Sequence, residues 1–170
     1  MKVDYSLMEM FGRPPARSFE DITEIVIHHT DGGGTNKSLF EWFKGKDCPN
    51  HALYRKYVAL THYYIQRDGD VTEAYPLDTW LYHSCSGIRD KTTIGIELIH
   101  KTGEFTQEQY AALLGLMFID IVEKCPNIDT VSSHDYRYLK YSGRSKGCPG
   151  KFFDWDIIEQ NNQFNWIINK

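Results

Sequence analysis

The sequence predicts an α/β fold: a single domain over residues 1–170 with a central mixed β-sheet flanked by helices. Short β-branched apolar runs, at Ile22–His28 and in TIGIELI at 93–99, read as buried strands. Leu113, Leu114, Met117, Phe118, Ile121 and Val122 recur at helical spacing. The two kinds of segment alternate along the chain, with no internal repeat or low-complexity stretch between them. A chain of 170 residues, 41% apolar and 25% charged, is long enough and ordinary enough to bury one sizeable core.

In chain order, residues 1–20 read as irregular, with Pro14 and Pro15 as breakers. The strand at Ile22–His28 runs into HHTDGGG, whose glycines permit a loop with unusual backbone angles. Ser38–Phe43 reads as a short helix and residues 45–52 as a loop. Val58–Gln66 and Val71–Tyr75 read as strands joined by RDGD, where Asp-Gly signals a two-residue hairpin turn. Residues 76–92 form a long loop of the kind that often carries function. Thr106 and Gln109 form a capping box that opens the strongest helix, which stops before Pro126. A short strand follows at Asp129–Ser133, then a loop over 135–153. Asp154 caps a last helix that offers Ile157, Ile158, Phe164, Ile167 and Ile168 for packing.

Composition excludes several classes. A net charge of -4 without a basic stripe argues against nucleic acid. No stretch approaches the roughly twenty apolar residues of a membrane span. MKVDYSLMEMFGRPP carries Asp4 and Glu9 and lacks the apolar core of a signal peptide, so synthesis in the cytoplasm is expected, with the protein a monomer. The four cysteines are too sparse for a disulfide framework, and no CxxC knuckle occurs.

Chemistry concentrates on His28, His134 and Cys148. Each lies at a strand end or in a Gly/Pro-bounded turn, where a frame can aim a side chain. Two imidazoles and a thiolate suit tetrahedral zinc with a fourth position open, and the sequence places that site at the sheet edge in a groove. His29 faces the other way if the strand continues, because side chains alternate. Glu97 is a carboxylate among Ile94, Ile96, Leu98 and Ile99. It faces either a desolvated site, with a raised pKa, or solvent. Lys146 stands two residues before Cys148, with Gly147 between.

The segments IVIHHT, THYYIQRDGDVTE, WLYHSC, TIGIEL, SHDY and GRSKGCPGKFFDW resemble, in order, those of the zinc-dependent N-acetylmuramoyl-L-alanine amidases, a superfamily that includes phage lysozymes and peptidoglycan recognition proteins. The resemblance covers about residues 22–156. It implies that His28, His134 and Cys148 hold Zn²⁺, and that Glu97 is the catalytic carboxylate of the murein-recycling branch. It also implies that Lys146 is the catalytic lysine of the bacterial and phage branches. His83 matches the histidine of the family's Trp-His-Ala-Gly segment, here stretched to Trp80–Cys85. Thr61 stands where phage lysozymes carry a tyrosine. With Trp80 and His83 it is expected to line the substrate groove. The implied partner is peptidoglycan or a muropeptide. The implied reaction is hydrolysis of the bond between N-acetylmuramic acid and L-alanine by a phage or prophage endolysin that reaches the wall after release. Alternatives are a cytosolic recycling amidase, a non-catalytic peptidoglycan-binding domain and a structural zinc site.

Overall fold

The computed structural model describes residues 1–45, 48, 60–84 and 86–170. Among them, seven strands form one sheet in the order β1-β4-β3-β5-β2-β6-β7. The strands are β1 (Lys2–Val3), β2 (Glu24–His29), β3 (Tyr63–Ile65), β4 (Val71–Glu73), β5 (Thr93–Leu98), β6 (Thr130–Ser133) and β7 (Ile167–Asn169). Only β3 and β4 pair antiparallel; the other neighbours are parallel, so the sheet is mixed, as the sequence predicts.

The helices are α1 (Ser6–Phe11), α2 (Asn36–Lys44), α3 (Gln107–Gly115), α4 (His134–Ser142) and α5 (Trp155–Gln160). The expected capping box is present: the Thr106 hydroxyl accepts from Gln109 N–H, and the Gln109 side chain accepts from Thr106 N–H. Beyond Gly115 the helix continues as a π-helical stretch, Leu116–Ile121, and a last α turn, Val122–Lys124, before Pro126.

Pleating sorts the central strands onto two faces. Ile25, Ile27, Ile94, Ile96, Tyr63 and Ile65 enter the larger core, which α3 and its π-helical continuation cover with Leu113, Leu116, Met117 and Ile121. Each such side chain stabilises the fold by about 1.5–3 kcal/mol through burial. On the other face α1 and α2 bring Leu7, Phe11, Phe40 and Phe43 against Tyr64, Tyr75 and Leu81. Among the described residues this second core is the smaller, and beside it a cleft reaches the C-terminal ends of β2 and β5 at His28, His29 and Glu97.

Several expectations need correction. Residues 1–20 are not irregular: they contain β1 and α1, which ends where Gly12 takes φ +93°. The hairpin turn has three residues between the closing pair, Gln66 N–H donating to Asp70 C=O at 2.9 Å, because Gly69 sits at φ +84° as the third. The stretch 135–153 opens with helix α4, capped by Ser133 and ended by Gly143 at φ +72°. Ile167 and Ile168 do not extend the last helix; they lie in β7, which pairs with β6. Val58 and Ala59 of the expected strand, and residues 46, 47 and 49–52 of the expected loop, lie outside the described residues.

Candidate functional site

The register of the central strands builds the site. His28 of β2 lies opposite Glu97 of β5, which lies opposite Tyr64 of β3. Residues in register share a face, so a histidine, a carboxylate and a phenol stand in a row above the smaller core. His134 arrives from the next strand, β6, as the first residue of α4. The loop after α4 returns to the same point, where Asp135 N–H donates to Cys148 C=O at 2.8 Å. The Asp135 carboxylate pins that loop by accepting from Ser145 Oγ at 2.8 Å and from Gly147 N–H at 2.6 Å. The edge that carries the site is thus the line of C-terminal strand ends, above the middle of the sheet.

The donor atoms of His28, His134 and Cys148 all lie within 4.8 Å of one another, and all three residues are buried. His28 Nδ1 and His134 Nδ1 are 3.0 Å apart. Two nitrogens each 2.0–2.1 Å from a tetrahedral zinc lie roughly 3.3 Å apart, so the pair is spaced for one ion. The other ring nitrogen of His134, Nε2, is buried without a hydrogen-bond partner among the described residues. Burial holds His28 well below the usual histidine pKa, and burial together with Lys146 brings His134 down to about 4. Both rings are therefore neutral and ready to donate a lone pair. Burial and the Glu97 charge push the Cys148 thiol up to about 12, while the His29 N–H, at 3.3 Å from Sγ, opposes the rise. A cation at the sulfur is what turns that thiol into a thiolate. The donor set thus fits Zn²⁺.

Around the triad lies a cleft of about 330 Å³ lined by residues that include Glu97, Lys146, Thr61 and His83. Burial raises the Glu97 carboxyl from 4.5 to about 8, with Lys146 as the opposing influence. Lys146 is exposed, and its Nζ sits 5.0 Å from the centre of the Tyr138 ring. Thr61 is buried in the wall, its N–H 3.4 Å from the Tyr64 hydroxyl. Trp80 is not brought to this cleft: its ring packs against Tyr82 at 5.0 Å. His83 is, but its ring is engaged with His28 at 2.9 Å and Thr93 at 2.8 Å.

Three contributors escaped the sequence reading. Trp42, on α2, lines the cleft with Leu39 and Phe43 while remaining 47% exposed. The helical spacing of Leu39, Trp42 and Phe43 was the available signal. His29, next after His28 on β2, also lines the cleft, its Nδ1 3.3 Å from Cys148 Sγ, although strand alternation alone sends it to the other face. Tyr64 joins the row through register with Glu97, which no local pattern reveals.

Comparison with known proteins agrees with this geometry. The family model described as N-acetylmuramoyl-L-alanine amidase matches residues 18–151. Nothing among curated protein sequences matches the chain. Among solved structures, the chain resembles the N-acetylmuramoyl-L-alanine amidase LysC from Clostridium intestinale, with TM-score 0.64, 21% identity, and 88% of this chain and 91% of that one covered. The Ph2119 endolysin from Thermus scotoductus bacteriophage Ph2119 gives TM-score 0.64 at 18% identity, covering 94% and 97%. PGRP-SA of Apis mellifera gives 0.72 at 13% identity, covering 100% and 99%. At these identities the structures speak for the fold alone. The family match spans most of the chain and encloses His28, Glu97, His134, Lys146 and Cys148; the protein belongs to the N-acetylmuramoyl-L-alanine amidase family, and its triad is the zinc site of an amidase that acts on peptidoglycan.

Proposed function

We propose that the protein hydrolyses the amide bond between the lactyl group of N-acetylmuramic acid and L-alanine, as a phage or prophage endolysin acting on the assembled wall. The observation that carries the chemistry is the placement of Glu97 beside His28, on the same face and in the same cleft as His134 and Cys148. His28, His134 and Cys148 would hold the zinc. A zinc ion bound there polarises the scissile carbonyl and acidifies water at neutral pH.

The chain's own groups supply the rest. Glu97, raised to about 8, is poised to take a proton from the attacking water and return it to the departing amine, because its pKa lies near the working pH. Lys146 offers a fixed positive charge on the cleft wall where the carbonyl oxygen becomes negative. Leu39, Trp42 and Phe43 form an apolar wall suited to the faces of a sugar or the methyl groups of a stem peptide.

The endolysin reading is supported by the cysteine in the triad, Cys148, since by the family resemblance the phage and recognition-protein branches carry Cys there and the recycling branch carries Asp. Synthesis in the cytoplasm followed by release to the wall, and action as a monomer, belong to the same reading. Turnover of intact sacculi against soluble anhydro-muropeptides tests it. Faster release of amino termini from sacculi is expected. Turnover confined to soluble muropeptides would replace the endolysin with a recycling enzyme, as the Glu97 match to that branch would then imply.

A further inference from the structure

His28 has two ring nitrogens, and only one can face the metal. Its Nε2 lies 2.9 Å from His83 Nδ1. On the far side of the His83 ring, Nε2 lies 2.8 Å from Thr93 Oγ1, and Thr93 Oγ1–H donates to Asp90 C=O at 3.0 Å. The backbone carbonyl can only accept, so it sets the direction of the whole chain. With its one proton committed to Asp90, the Thr93 hydroxyl accepts from His83 Nε2–H. A neutral His83 then carries a lone pair on Nδ1 and accepts from His28 Nε2–H. The remaining lone pair of His28, on Nδ1, points to His134 Nδ1 and into the triad.

The surroundings hold this chain in place. The His83 ring packs close against β5 at residue 95 because that residue is glycine; a Cβ there would come within 2.9 Å of the His83 ring. The Asp90 carboxylate, fully buried, accepts from the backbone N–H of both His83 and Ser84 at 3.2 Å. Arg137, on α4 one turn after His134, donates to Ser84 Oγ at 2.9 Å and Ser86 Oγ at 2.7 Å and lies 3.6 Å from Asp90. The cluster that carries His83 therefore also grips the helix that carries His134.

We propose that His83 is a positioning residue: through Thr93 and the Asp90 carbonyl it locks His28 in the tautomer that presents Nδ1 to zinc. This rests on the zinc reading of the triad and deepens it. Partners of this kind usually contribute 10–100-fold to metal affinity, though a carboxylate, carbonyl or water more often fills the role.

The test is zinc affinity by competition with a chromophoric chelator, alongside thermal unfolding of the chelator-treated proteins. His83→Leu is expected to weaken zinc binding by about 10–100-fold. His83→Asn, whose amide oxygen can accept from His28 Nε2–H, is expected to restore most of it. Thr93→Val keeps the shape, frees the His83 tautomer and is expected to weaken zinc in the same direction. It carries the test if His83→Leu fails to fold. Wild-type affinity in a folded His83→Leu protein, in Thr93→Val, or equal losses in His83→Leu and His83→Asn, would overturn the proposal while leaving the zinc site standing. A wild-type protein that takes up no zinc would overturn both.

Discussion

Glu97 is the group whose environment most distinguishes a catalytic reading from a structural one, and Glu97→Gln isolates it. The carboxyl titrates at 4.5 when free and at about 8 in the folded protein, chiefly because burial disfavours its charge. Between those values the native state keeps a proton that the unfolded chain has released. Stability therefore falls as pH rises, by about 1.4 kcal/mol per unit, and the loss levels off above pH 8. The integrated cost is about 1 kcal/mol at pH 5 and about 3 kcal/mol at pH 7. Glutamine has the same shape and no charge, so Glu97→Gln escapes this cost. His28, His83 and His134, whose pKa values are lowered, act in the opposite sense and lose stability as pH falls. Both proteins share that contribution, so their difference reports Glu97. Urea unfolding of chelator-treated protein at pH 5, 6, 7 and 8 measures it. The gain of Glu97→Gln over wild type is expected to grow by about 2 kcal/mol from pH 5 to pH 7. Parallel stability curves would show an ordinary carboxylate and refute the proton-carrier reasoning.

The zinc-loaded Glu97→Gln protein is expected to keep its metal and lose roughly 10²–10⁴-fold in turnover, the usual contribution of a general base; near-normal rates with zinc bound would remove the assigned role. Lys146→Met is expected to lower kcat by roughly 10²–10³-fold with zinc content unchanged, while a change in KM alone would move the lysine from catalysis to binding. Trp42→Ala should raise KM for wall fragments several-fold through loss of the apolar wall, whereas Trp80→Ala, off the cleft, should leave KM as it was; the reverse pattern would place the substrate on the other side of the site.

Much of this site is legible in the sequence because its parts sit on strands. IVIHH and TIGIEL are short, nearly continuous buried runs, so their ends can be located. What the sequence does not show is which neighbours a parallel sheet brings together. Tyr64 meets Glu97, and Glu97 meets His28, through a register that depends on crossovers of dozens of residues. Helix α4 was expected as loop for a different reason. Its sequence HDYRYLKYS buries only His134 and Arg137 and so carries no apolar stripe; its stability comes from the Ser133 cap and the Arg137 contacts. Ile167 and Ile168 mimic helical spacing after α5, but pairing with β6 overrides it. His83, a groove residue by resemblance, does reach the cleft; the buried Asp90, which holds its backbone, and the room left by Gly95 bring its ring against His28, which no local pattern shows.

The central claim is that His28, His134 and Cys148 hold a zinc ion that drives hydrolysis of the muramoyl–alanine amide. The most direct measurement is end-group analysis of purified peptidoglycan treated with the zinc-loaded protein, the chelated protein and Cys148→Ser. New amino-terminal L-alanine, without new reducing sugar ends, is expected from the zinc-loaded protein alone, and it should return to the chelated wild type when zinc is added back. Amino termini that appear equally after chelation, or only reducing ends, or no turnover with zinc bound, would contradict the account.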